Sequence, residues 1–164
     1  MVLRVLPRLL RPLGRVMTLI RRGTLDDLDA VFRLAQQFVT EKTSIDLDGF
    51  TVAFNNVIRW RENETNVLHV AEDDQGAVIG YTLMSVSRLL HVAGLTAHLQ
   101  ELVVDESARG RGVGSDLVYA NELYAMERGV RRLTMSTSRA GEFYRRLGYD
   151  VTAEFYKKIL PLGG

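Results

Sequence analysis

The chain has 164 residues, 46 % of them apolar and 25 % charged, a size and balance expected of one globular domain with a substantial core. It contains no cysteine, which excludes disulfides, thiolate metal ligands and a cysteine nucleophile and suits a reducing, cytoplasmic compartment. The formal charge of +1 is uneven: Arg4, Arg8, Arg11 and Arg15 are four of the 21 basic residues, and without them 17 bases face 20 acids, a net charge of −3. A mildly acidic body gives no reason to expect a nucleic-acid partner.

Residues 1–16, MVLRVLPRLLRPLGRV, are Arg-rich and acid-free, as an organellar transit peptide would be. They lack serine, however, and Pro7 and Pro12 would interrupt a helix. No arginine-free apolar run is long enough for a signal peptide. The arm therefore reads as an extension upstream of a single domain that begins near Met17 and occupies 17–164. No segment approaches the ~20 apolar residues that span a bilayer, so no membrane partner is expected.

After Met17, TLIRRG reads as a short strand closed by Gly23. Thr24 followed by Asp27 is a capping-box-like start, and Leu25, Leu28, Val31, Phe32, Ala35 and Phe38 recur at helical spacing, predicting a helix over 24–40. TEKTSIDLDG breaks it, and a second helix over 47–61 carries Val52, Phe54, Val57, Ile58 and Trp60. NVLHVAED and DQGAVIGYTLMSVSRLL form a strand pair around the turn EDDQG, and Gly94 marks the way into a third strand, AHLQELVVD. A helix over 112–127 follows, with Val113, Leu117, Ala120 and Tyr124 on one face. VRRLTMST is a further strand, RAGEFYRRLG a short helix ended by Gly148, and YDVTAEFYKKIL a terminal strand or strand pair. Strands interleaved with helices imply a mixed α/β (α+β) sheet in one domain.

The segment Arg109-Gly-Arg-Gly-Val-Gly114 stands between a strand and a helix. Backbone amides at a helix start are unpaired donors backed by the positive end of the macrodipole, and glycine lets a ligand come close. Strand, glycine loop and helix together suggest an anion site, in particular for phosphate. A turn required only by tight strand–helix packing is the alternative, and three glycines flanked by arginines favour phosphate over it. The loop has no lysine, as a Walker loop requires, and its G-x-G-x-G spacing with no acid in RRLTMST departs from the dinucleotide fingerprint.

Here the sequence resembles the GNAT superfamily of acyl-CoA-dependent N-acyltransferases. Its signature, Arg/Gln-x-x-Gly-x-Gly/Ala, is met by Arg109, Gly112 and Gly114 after the strand Leu102-Val-Val104. A second element of that family corresponds to Ala140-Gly-Glu-Phe-Tyr144-Arg-Arg-Leu-Gly148-Tyr149, and the element order agrees from about residue 18 to 160. Glu106 stands where many members have proline, and Thr137 where many have asparagine. The resemblance implies a mostly antiparallel sheet splayed between its fourth and fifth strands, with helices on both faces. It implies acetyl-CoA, or another short acyl-CoA, as co-substrate and no metal. The pyrophosphate would lie on the amides of Arg109, Gly110, Arg111, Gly112, Val113, Gly114 and Ser115, and the pantetheine arm along Leu102, Val103 and Val104. Thr137 would offer the cofactor its hydroxyl. Dimers are common in such a family, though no residue here specifies an interface.

Moving an acyl group from a thioester to an amine requires deprotonation of the amine, stabilisation of an oxyanion and protonation of the departing thiolate. The resemblance places Tyr144 near the sulfur as general acid, while a backbone N–H near Val103 or Val104 suits the oxyanion. Glu101, a carboxylate in an otherwise apolar strand, is the leading base candidate, at a position some members of the resembled family use through a water, with an ordinary exposed strand residue as the alternative. His98 is a weaker candidate, a satisfied structural histidine being favoured over that role, and in a regular strand it and Gln100 face away from Glu101; a water chain without a dedicated base is the further alternative. Glu41, Asp46 and Asp48, between the first two helices, are candidates to attract a cationic amine, or simply a solvated loop. The expected function is direct N-acetylation of a small-molecule or peptide amine, with a non-catalytic acyl-CoA sensor as the alternative. A nucleic-acid role for the arm is disfavoured because it has no aromatic residue to stack on bases.

Overall fold

The structure is a computed structural model and describes residues 18–40, 44–59, 65–91 and 94–160. The arm over 1–16, Glu41 and Trp60 lie outside these residues. In chain order the elements are β1 (Leu19–Arg22), α1 (Leu28–Ala35), α2 (Leu47–Arg59), β2 (Asn66–Glu72), β3 (Val78–Arg88), β4 (Leu95–Val104), α3 (Val113–Glu127), β5 (Val130–Met135) and α4 (Gly141–Arg146). The five strands form one sheet in the order β1-β2-β3-β4-β5, antiparallel except for the parallel pair β4–β5. The crossover between those parallel strands is α3, as parallel pairing requires a long connection.

The first predicted helix is shorter than its periodicity suggests: single 3-10 turns, Leu25–Asp27 and Gln36–Phe38, flank α1. Its start is held by a side-chain network. The Thr24 amide donates to Asp27 Oδ2 at 2.7 Å, and Arg21 forks onto the two oxygens of Asp27 at 2.8 and 2.7 Å while also reaching Glu72 at 2.7 Å. The β2–β3 turn closes as expected, with Asp73 Oδ1 accepting from the amides of Gln75 and Ala77 and Gly76 at φ +80°.

Helices α1 and α2 cover one sheet face, where Val31, Leu34, Phe54 and Ile58 pack on Leu68, Val70, Tyr81 and Val103. Val52, predicted for that apolar stripe, points to solvent instead. The opposite face takes α3 and α4, with Val67, Met84, Ala97, Leu99, Val118 and Tyr144 forming one cluster and Ile20, Ala71, Val113 and Leu117 another.

Two features of β4 shape the site. First, β5 pairs with it only from Leu95 to Leu99, so Gln100 to Val104 lose their neighbour on that side and the sheet splays. Second, its register with β3 slips: Leu83 opposes Glu101 while Met84 opposes Leu99, leaving Gln100 as an extra residue in a β-bulge. The bulge corrects the alternation expected of a regular strand. His98 opposes Ser85 and Glu101 opposes Leu83, and these two β3 residues share the α1/α2 face. Gln100 also turns there, its Nε2 donating to Ser85 Oγ at 3.0 Å.

The terminal strand expected over 149–160 does not form; residues 150–160 have no regular structure and are exposed. Alternating Val151, Ala153 and Phe155 suit a pleated surface, but a strand exists only where a neighbouring ladder accepts its backbone. Among the described residues the sheet ends at β5.

Candidate active site

The loop between β4 and α3 begins with Asp105, which accepts hydrogen bonds from the amide and hydroxyl of Ser107 at 3.1 and 2.7 Å and an ion pair from Arg33 at 2.6 Å. The Ser107 hydroxyl and the Arg33 guanidinium hold its carboxyl down at about 2. Gly110 (φ +74°) and Gly112 (φ +89°) then adopt left-handed conformations that only glycine tolerates freely. Nothing would touch a Cβ at Gly110, so backbone conformation alone selects glycine there. Gly112 is the N-cap of α3, and the first-turn amides of Val113, Gly114 and Ser115 begin a 15-residue helix. Such amides have no acceptor within their own helix. Gly114 lies against Phe143 of α4 and Val104 of β4.

Arg109, although exposed, braces the loop. Its guanidinium bonds Gln37 Oε1, its Nε donates to the Val104 carbonyl at 3.3 Å, and Glu106 is 3.7 Å away. Arg111 is exposed beside it. Leu102 and Val104 pack toward α3, and Val103 toward α1 and α2.

Thr137 caps the turn into α4, its Oγ1 accepting from the amides of Arg139 at 3.3 Å and Ala140 at 2.9 Å. Those bonds occupy oxygen lone pairs and leave the hydroxyl proton as a donor. Tyr144 is buried on α4 between Phe143 and Tyr149, with ring centroids 5.0 and 5.9 Å apart. Burial raises its phenol above the usual value, so it remains a proton donor.

Glu101 Oε2 accepts a 2.7 Å hydrogen bond from Tyr81, whose own hydroxyl is pushed far up by burial and by the Glu101 charge. His98 Nδ1 is 2.8 Å from Thr134 Oγ1, and its Nε2 is 3.4 Å from Ser136 Oγ. A cavity of about 800 Å3 is bordered by His98, Thr134, Ser136, Thr137, Tyr144 and Arg145 and by the chain after Tyr149. His98, Thr137 and Tyr144 are thus brought to one cavity, which Glu101 does not line. Asp46 is occupied as the cap of α2, accepting from the Gly49 amide at 2.9 Å, and Asp48 is exposed. The partners Tyr81, Gln37, Thr134 and Ser136 were not singled out from sequence, because each meets its residue across strands or elements remote in the chain. Among the described residues no group of three or more His, Cys, Asp and Glu is disposed to hold a metal, and no helix is long and apolar enough to cross a membrane.

This fold and glycine loop coincide with a family profile. The pattern of the Acetyltransferase (GNAT) family matches residues 31–149, and the chain belongs to that family. It is therefore an acyltransferase. It is 30 % identical over 146 residues, 86 % of this chain and 90 % of the relative, to the aminoalkylphosphonate N-acetyltransferase of Salmonella typhimurium strain LT2. Among solved structures, a transcriptional regulator from Bacillus halodurans C-125 superposes with a TM-score of 0.76 at 22 % identity, covering 87 % of this chain and 99 % of that one. Glucosamine-6-phosphate N-acetyltransferase from Arabidopsis thaliana gives a TM-score of 0.74 at 20 % identity, over 88 % and 99 %. These two likenesses establish the shared fold.

Proposed function

We propose that the chain transfers the acetyl group of acetyl-CoA directly to the primary amine of a small aminoalkylphosphonate-like acceptor. The observation that carries this reading is the splay of β4 from β5 after Leu99, next to the glycine-bent start of α3. An extended pantetheine arm finds strand-edge donors and acceptors at Leu102, Val103 and Val104, and a pyrophosphate finds helix-start amides over 110–115. Arg109 acts by bracing that loop, and Thr137 offers its hydroxyl proton to the cofactor.

Tyr144 protonates the departing thiolate; its elevated phenol keeps the proton until the thiolate forms. A backbone amide at the bulged, splayed end of β4 meets the oxyanion. The phosphonate preference draws support from the Salmonella relative; Arg145 on the cavity wall is ion-paired to Glu142.

The test is thiol release from acetyl-CoA across a panel of 2-aminoethylphosphonate, an amino-sugar phosphate, a polyamine and a peptide with a free N terminus. Release with the aminophosphonate is expected. Binding of acetyl-CoA with no release from any amine would make the chain an acyl-CoA sensor; release with another amine alone would move the acceptor class.

A further inference from the structure

We infer that His98, through Nε2, is the proton acceptor for the attacking amine, and that Thr134 is the positioning residue that fixes it in that form. This deepens the acetyl-transfer reading above and rests on it.

The assignment follows from where one proton must lie. The Thr134 hydroxyl donates to the carbonyl of Ala97 at 3.2 Å. With its one hydrogen assigned to that carbonyl, it meets His98 Nδ1 at 2.8 Å as an acceptor, which assigns the ring proton to Nδ1. The neutral ring then has its lone pair on Nε2, the nitrogen turned toward Ser136 on the cavity wall. The second-neighbour bond sets which nitrogen is basic.

Position supports the same role. His98 is one residue before Leu99, the last β4 residue paired with β5, so it stands where the cleft opens. It approaches from the α1/α2 face, while Tyr144 packs on the α3 side, and both border the same cavity. A base and an acid on opposite faces of the opening suit a reaction in which nitrogen enters on one side of a carbonyl and sulfur leaves on the other. Glu101 shares the face of His98 but is held by Tyr81 outside the cavity lining. The charged and titratable groups that border the cavity with His98 are Tyr144 and Arg145 from α4 and Tyr149, Asp150 and Glu154 from the segment after it; β3 sets Ser85 opposite His98, and β5 presents Thr134 and Ser136.

The protons balance as follows. The ammonium of the acceptor gives one proton to His98 Nε2, which passes it to solvent. The freed nitrogen lone pair forms the N–C bond to the thioester carbonyl. As the C–S bond breaks, the thiolate takes the Tyr144 proton, and the second proton lost by nitrogen restores Tyr144.

Two measurements test this on the full chain. Long-range 15N NMR of the free protein in alkaline buffer is expected to show His98 as the Nδ1–H tautomer; an Nε2–H tautomer overturns the assignment. In thiol-release assays with acetyl-CoA and the fastest amine of the panel, His98→Asn is expected to lower kcat/KM about 100-fold and to abolish the acidic limb of its pH profile. The acetyl-CoA dissociation constant should stay within about twofold, which separates this loss from misfolding, and His98→Gln serves if the first variant does not fold. Thr134→Val should lower kcat/KM about tenfold and Thr134→Ser should restore it. Wild-type turnover with an undiminished limb in the His98 variants overturns His98 alone. Absence of turnover by the wild type on every amine overturns the acetyl-transfer reading, and the base assignment with it.

Discussion

The buried hydroxyl of Tyr81 donates to Glu101 Oε2 at 2.7 Å, joining β3 to β4 just beyond the bulge at Gln100. Tyr81 is 1 % exposed, so this bond ties the carboxylate to the core beneath α1 and α2. Hydrogen bonds to charged groups are worth roughly 1.5–3 kcal/mol. Tyr81→Phe keeps the ring and deletes the donor, and should lower stability by about 2 kcal/mol in urea unfolding with an unchanged m-value.

Gly112 caps α3 at φ +89°, where a β-branched side chain is strained. Gly112→Val should tilt the first-turn amides and weaken acetyl-CoA binding at least about tenfold by calorimetry, an effect of ~1.4 kcal/mol. Equal affinity would remove the glycine loop from the binding site.

Burial raises the Tyr144 phenol, so it stays protonated through neutral and mildly alkaline pH. Tyr144→Phe should reduce kcat by about 100-fold, within the range of a single general acid, and leave acetyl-CoA affinity within about twofold. A matched fall in affinity would make Tyr144 a packing residue instead.

His69 sits buried under α3, with Nδ1 3.1 Å from Asn121 Oδ1, while Asn121 donates to Thr82 Oγ1 at 2.7 Å and to the Leu117 carbonyl at 2.8 Å. Burial pushes its ring down to about 4, helped by the nearby Arg22 charge and opposed by the Asn121 bond. The unfolded chain, with histidine near its ordinary value of about 6.5, binds the proton first, so stability falls as pH drops from about 6.5 toward about 4 and levels below that. The loss attributable to this group is roughly 3 kcal/mol. Unfolding free energies measured across this window should show that slope, and His69→Gln should flatten it.

The local signals and the long-range ones separated cleanly. The glycine loop and the order of strands and helices through α4 are legible because turn chemistry and periodicity are properties of contiguous residues. The bulge was not, because an extra residue in β4 shows only when β4 is laid against β3; alternation alone put His98 opposite Glu101. Thr134 meets His98 across 36 residues and Tyr81 meets Glu101 across 20, so neither partner had a local signature. The tail after Tyr149 shows the converse: its alternation is local, but a strand needs a neighbour.

Gln100 acts on β4 as an inserted letter acts on a reading frame. Upstream of it the odd-numbered residues Ala97 and Leu99 pack toward α3; downstream the even-numbered Leu102 and Val104 do. One strand therefore runs in two phases, its first half presenting His98 to the opening cleft and its second half running on beyond its pairing with β5. Deleting Gln100 would remove the bulge and set His98 and Glu101 two positions apart, so strict alternation would still keep both on the α1/α2 face, opposite Ser85 and Leu83.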